Sequence, residues 1–341
     1  MKAIGFIKHL PINYPEIFFE FDAPKPKAKG HDLLVKINAI SVNPVDTYVR
    51  GLGHTQLKHP KIIGWDACGT VEDIGDKVSL FKKGDRVYYA GSFKRPGSDS
   101  EYQLVDERIV GHAPHTLKDF EAAALPLTSL TAYEALFEQL NLNIGSLDNS
   151  SKTILIINGA GGVGSIATQL AHLAGLKVIS TASRPESIKW TKQHGADLIV
   201  NHRQDLVRQI HQLGFKYVDY ILGLSNLDAH WKEICELVTP NGHIASVTEN
   251  KGPINLRLLT KKRGHFAWEW MYSKSYFHTS DMQTQHEILD KIATMIDQQQ
   301  LKCTLTKHLS PINVQNLQIA HKLIESGHMI GKVTLSNWHS N

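Results

Sequence analysis

Cysteine is scarce: Cys68, Cys235 and Cys303 are the only three in 341 residues. An odd number, widely spaced, fits neither a disulfide framework nor a paired zinc motif, and it points to a reducing compartment. Long apolar runs are missing as well. No stretch reaches the roughly 18 residues that a membrane-spanning helix needs, and the start, MKAIGFIKHLPINYP, has neither the apolar core nor the small-residue cleavage site of an export signal. A cytoplasmic protein with no membrane partner is expected. Blocks of like charge are absent too. The 37 basic and 33 acidic residues are mixed along the chain, for a net charge of +4, so nothing calls for nucleic acid as a partner. The 19 histidines, among them His9, His54, His59, His112 and His115, show no H-E-x-x-H or similar metal-binding spacing. Internal repeats and low-complexity segments are lacking, which excludes a solenoid or a disordered tail.

What is present is a strand, a glycine turn and a helix start in immediate succession, TILIINGAGGVGS from Thr153 to Ser165. Ile154 to Ile157 are four consecutive aliphatics, the pattern of a parallel strand buried on both faces. Gly159, Gly161 and Gly164 match G-x-G-x-x-G: one glycine for the tight turn, one for close approach of a pyrophosphate, one for helix packing on strand. Val163, Ile166, Ala167, Leu170, Ala171 and Ala174 then form one apolar helical stripe. The helix start, with Gly162 and Val163 in its first turn, offers free N–H groups to phosphate. A dinucleotide cofactor is expected.

Around this unit the chain changes texture twice. Residues 1–124 are rich in short β-type runs, such as LLVKINAI (33–40), CGTVEDI (68–74) and DRVYYAG (85–91), separated by Pro and Gly turns. Residues 125–299 alternate strand and helix, the pattern of a doubly wound parallel sheet. The elements after 300 break that alternation and are assigned back to the first domain. The fold class is therefore α/β, a doubly wound parallel sheet plus a mostly β domain completed by 300–341.

The end of the next strand discriminates between cofactors. An Asp or Glu there would hold the ribose 2′-hydroxyl of NAD, and the sequence instead has Thr181-Ala182-Ser183-Arg184. A hydroxyl and a guanidinium would pair with a 2′-phosphate, so NADPH is favoured over NADH. The competing reading is that Arg184 and Pro185 merely open the next helix.

A further set of segments is shared with a known family. VNPVDTYVRG (42–51), GWDACGTVEDIG (64–75), FKKGDRV (81–87), AAALPLTSLTAYEAL (122–136), NGAGGVGS (158–165) and MIGKVTL (329–335) resemble the medium-chain dehydrogenase/reductase superfamily, in its zinc-free quinone oxidoreductase, zeta-crystallin-like branch. They run in family order across nearly the whole chain. The resemblance implies a GroES-like catalytic domain, a Rossmann domain for NADPH, a homodimer, and a cleft where nicotinamide meets substrate. It places Asn43 and Tyr48 beside the nicotinamide, with Tyr48 hydrogen-bonding the acceptor oxygen, and it gives Thr128 and Lys332 cofactor contacts. Asp46 is shared even with zinc enzymes, which makes its role structural.

Zinc relatives carry a cysteine where this chain has Asn43 and Gly-His-Glu where it has Gly64-Trp65-Asp66, and residues 92–104 lack the cysteines of their structural zinc lobe. No metal is expected. The substrate must then supply its own electrophilicity, as a quinone or an α,β-unsaturated carbonyl does. Alternatives are a zinc-type alcohol dehydrogenase and a non-catalytic NADPH-binding sensor or scaffold. Tyr48 as a packed aromatic, Trp65 as either cleft wall or core, and the alternating cluster Trp268, Trp270 and Tyr272 as interface or cleft remain open at this level.

Overall fold

The computed structural model describes residues 1–143 and 147–338. The first stretch gives β1 (Lys2–Gly5), β2 (Phe19–Asp22), β3 (Asp32–Val42), helix α1 (Pro44–Gly51), β4 (Asp66–Ile74), β5 (Arg86–Tyr89), β6 (Tyr102–Asp106), β7 (Val110–His112), α2 (Asp119–Ala122) and α3 (Pro126–Tyr133). Strand and helix then alternate through β8 (Thr153–Ile157), α4 (Gly162–Leu173), β9 (Lys177–Thr181), α5 (Pro185–Gln193), β10 (Leu198–Val200), α6 (Leu206–Gln212), β11 (Val218–Gly223), α7 (Leu227–Leu237), β12 (Val238–Ser246) and β13 (His265–Trp268). The chain closes with α8 (Ser273–Phe277), α9 (Thr284–Asp297), β14 (Leu305–Leu309), α10 (Val314–Glu325) and β15 (Lys332–Ser336).

Two compact units result: 1–127 with 272–341, and 128–271. The second is built on six parallel strands in the order β10-β9-β8-β11-β12-β13. Its strand order doubles back around β8, which leaves a crevice at the carboxyl ends where such sheets bind ligands. One core fills a face of this sheet, with Leu155, Ile157, Ile179, Ile221 and Ile244 packed against Ile210, Trp231 and Ile234 of the covering helices. Continuous burial on both sides explains why β8 reads as an unbroken aliphatic run.

In the first unit, a sheet runs β14-β15-β3-β4-β5-β7, with β6 also paired to β3. β15 lies antiparallel to β3, Val333 opposite Val42, so the end of the chain is built into this sheet. The chain returns to the first unit at 272 instead of 300. The cause is α9, whose buried face includes Ile288, Leu289 and Ile292. Tyr88 Oη donates to Leu289 O at 2.6 Å, and Asp290 and Asp297 accept from the backbone N–H groups of His112 at 2.7 Å and His115 at 3.0 Å. An amphipathic helix does not reveal in sequence which sheet it will cover.

Candidate active site

In the second unit, β8 is followed by Asn158, whose backbone φ is 72°. Asn158 N–H donates to Thr181 Oγ1 at 2.8 Å and Gly159 N–H to Thr181 O at 3.1 Å, pinning the glycine turn to the end of β9. A Cβ on Gly159 would lie 1.8 Å from Ser180 Oγ, and one on Gly164 would lie 2.2 Å from Asn158 O. Those two glycines are therefore demanded by the fold itself. Around Gly161 a Cβ would meet nothing closer than Asn158 Nδ2, at 3.1 Å. The fold itself thus makes a weaker demand for glycine here, just before the start of α4, where Gly162 and Val163 lie in the first turn.

Ser183 and Arg184 follow β9 after Ala182 and are half-buried. Arg184 is the residue before α5, with Pro185 at the first helical position, so the helix-start reading of this pair holds without excluding a ligand role. His202, beyond β10, places Nδ1 3.1 Å from Thr181 Oγ1. Burial, with His230 and Arg203 nearby, lowers its pKa. No motif marked this histidine; only the sheet order brings it beside the end of β9.

α3 continues into a π-helical turn, Glu134–Gln139, a departure often found at functional positions. Glu134 and Glu269 are both buried. Burial first, then the charge and hydrogen bond of Glu134, push the Glu269 carboxyl up to about 9. Its backbone N–H donates to Ser246 O at 2.9 Å, which seats this acid pair at the carboxyl ends of β12 and β13. The pair retains a proton in the fold, so its stabilisation is complete below the ordinary carboxyl value of 4.5 and is lost as pH rises toward about 9. Glu269→Gln should accordingly raise the melting midpoint by several degrees at alkaline pH and hardly at acidic pH. Calorimetry across that range checks this, and an equal shift at both ends would contradict the shared proton.

The first unit carries a second polar centre, fully enclosed. Asn43 caps α1, its N–H donating to Asp46 Oδ2 at 2.6 Å and its Nδ2 to Asp66 Oδ2 at 2.8 Å. Lys332, from β15, donates to Asp66 Oδ2 at 3.0 Å, to Val42 O at 3.3 Å and to Asn43 Oδ1. All three ammonium protons are thus engaged. Asp66 Oδ1 accepts Leu127 N–H at 2.7 Å, capping the start of α3. Exposure is 1% for Asn43 and Asp46, 0% for Asp66 and 3% for Lys332. Burial pushes the Asp46 carboxyl up to about 7, against the lowering pull of the Asn43 N–H and the Lys332 ammonium, and Asp66 adds to the rise.

The sequence-derived residues thus fall into separate groups. Asn43 and Lys332 meet in the enclosed centre, whereas Tyr48, two residues beyond Asp46 on α1, stands out at 55% exposure. Tyr48 is not a packed aromatic. Thr128 lies buried in the first turn of α3, the five glycine-loop residues lie between the end of β8 and the first turn of α4, and Ser183-Arg184 lie between β9 and α5. Trp65 is core: it is 3% exposed and stacks on Phe93 with centroids 4.9 Å apart. Tyr272 meets both rings edge-on, at 6.0 and 5.1 Å. Its phenol is held protonated by burial, then by Asp46 and Asp66. The alternation expected through this cluster stops at Trp268, where β13 ends; Trp268 and Trp270 are exposed and Tyr272 is buried.

The side chains around Asn43 and Asp66 are already engaged with one another. A cation already lies between Asn43 and Asp66, the Lys332 ammonium, and Cys68 Sγ is 3.5 Å from Asp119 Oδ1. Among the described residues, no group of three or more His, Cys, Asp and Glu could hold a metal ion. Nor is any helix among them long and apolar enough to cross a membrane.

A glycine turn at the head of a parallel sheet in one unit, and an enclosed polar centre in the other, β-rich unit, describe a dinucleotide-dependent oxidoreductase. Comparison with known proteins agrees. Family models match at residues 29–115, described as an alcohol dehydrogenase GroES-like domain, and at 162–288, described as a zinc-binding dehydrogenase. A zinc-type alcohol dehydrogenase-like protein of Staphylococcus epidermidis is 44% identical over 336 residues, covering 98% of this chain and 99% of its own length. A Rhizobium etli structure, solved as a candidate zinc-dependent alcohol dehydrogenase, superposes with TM-score 0.95 at 42% identity, covering 100% of this chain and 99% of that one. The Escherichia coli quinone oxidoreductase complexed with NADPH gives TM-score 0.82 at 25% identity, covering 98% and 100%. The chain belongs to the medium-chain dehydrogenase/reductase superfamily, in its quinone-oxidoreductase-like branch.

Proposed function

We propose that this protein is an NADPH-dependent reductase that passes hydride to a quinone or an α,β-unsaturated carbonyl without a metal. The observation that supports the reading is the enclosed Asn43–Asp66–Lys332 centre, where an ammonium with every proton engaged lies between the two side chains. Lacking a Lewis acid worth several kcal/mol, the protein suits acceptors that delocalise the added electron pair themselves.

Bound NADPH supplies the hydride from C4 of its nicotinamide. Gly159, Gly161, Gly162, Val163 and Gly164 shape the turn that takes its pyrophosphate, and Ser183 with Arg184 takes the 2′-phosphate. Thr128, Asn43 and Lys332 serve the nicotinamide end, the last two through the fixed geometry and charge of their cluster. Tyr48 Oη, exposed on α1, donates to the acceptor oxygen as electron density arrives there. The unpaired edge of β13, with Trp268 exposed at its end, is the surface on which we place a homodimer contact. A cytoplasmic location completes the proposal.

Turnover tests it. Protein dialysed against a chelator should consume NADPH in the presence of a naphthoquinone and should not reduce NADP with simple alcohols. Zinc-dependent alcohol oxidation would install the dehydrogenase reading, and tight NADPH binding with neither reaction would install the sensor.

A further inference from the structure

We infer that Asp66 is a positioning residue for the reaction, setting the direction of Tyr48 through the N-cap of α1; this rests on the reading of Tyr48 given above. Three separate segments converge on its carboxylate: Asn43 Nδ2 at 2.8 Å, Lys332 Nζ at 3.0 Å and Leu127 N–H at 2.7 Å. With Asp66 fully enclosed, no solvent replaces a lost partner. Asn43 in turn has no freedom: its side-chain oxygen holds Lys332, its amide nitrogen holds Asp66, and its backbone N–H holds Asp46.

A helix clamped at its cap is clamped in rotation, because side chains leave the axis at fixed angular intervals. α1 is eight residues long, with Asp46, Val49 and Arg50 buried and Tyr48 outward. Its far end is also held, by His9 Nδ1 at 2.9 Å from Arg50 O and by an Arg50–Glu325 ion pair. The far-end contacts set the helix's place, whereas the cap carries the link to the enclosed centre. The phenol stands well out from the axis, so a rotation of several degrees displaces its oxygen by about 1 Å, enough to cost on the order of 100-fold in rate.

Asp66→Asn presents an amide that cannot accept from all three donors, and it should lower kcat/KM by about 30-fold or more. If Asp66 works through Tyr48, the Asp66→Asn and Tyr48→Phe losses are non-additive in a double-mutant cycle. The paired variant Asp66→Asn/Lys332→Met, which removes both buried charges, guards against simple misfolding: it should melt close to wild type. Restored kcat/KM in that variant, or fully additive losses in the cycle, would overturn the inference. Amide exchange across residues 44–51 separates this outcome from failure of the functional reading, since it requires no turnover. The paired variant should exchange faster there than wild type, and unchanged exchange would also overturn the assignment.

Discussion

Replacing Lys332 with Met should destabilise the protein by about 3–5 kcal/mol, the cost of stripping one partner from a buried ion pair. Methionine matches the lysine stem closely, so little of this comes from packing. The loss is electrostatic: Asp66, at 0% exposure, keeps only Asn43 Nδ2 and Leu127 N–H, and Asp46 loses the cation that holds its carboxyl down. At about 2–4 °C per kcal/mol for a chain folding in units of this size, the melting midpoint should fall by about 10 °C. The defect should shrink as pH falls through about 7, where the Asp46 carboxyl that Lys332 holds down takes up a proton and needs no counter-ion. Asp66→Asn placed in the same chain should recover most of it, since a neutral pair in a buried site is often as stable as the ions it replaces. Denaturant melts of the three variants decide the matter. A Lys332→Met protein as stable as wild type would mean that the enclosed centre contributes nothing as an ion pair.

Arg184→Glu should raise the Michaelis constant for NADPH by about two orders of magnitude and leave that for NADH nearly unchanged. A charge-assisted hydrogen bond is worth about 1.5–3 kcal/mol, and charge reversal adds repulsion to its loss. Arg184 stands half-buried just beyond the end of β9, with Ser183 before it and α5 behind it. Arg184 N–H donates to Ser187 Oγ at 3.1 Å in the first turn of α5, a backbone contact that the substitution leaves in place. Steady-state kinetics with both cofactors measures the ratio. Equal losses for the two would remove the basis for preferring NADPH.

Both predictions rest on residues whose types were visible in the sequence, although their settings were not equally so. The parallel sheet was legible because a doubly buried strand must be aliphatic throughout and a close strand–helix approach must have glycine, as Gly159 and Gly164 show. The return of the final strand to the first domain was legible because it breaks the alternation. Trp65 and Tyr48 were not resolved: an aromatic side chain reads the same whether it is stacked in a core, as on Phe93, or held out on a helix. Asp66, Glu134 and Glu269 were missed as a class. A carboxyl becomes a structural node only through partners distant in sequence, here Lys332 and Leu127 for one and Ser246 for another. Nothing local to an acid announces such partners.

The most direct test of the account is isotopic. NADPH carrying deuterium at the transferable C4 position, mixed with chelator-dialysed protein and an enone, should yield a reduced product with deuterium bonded to carbon, at a rate unaffected by added zinc. Cofactor oxidation that leaves the product unlabelled, or no reaction until zinc is supplied, would contradict it.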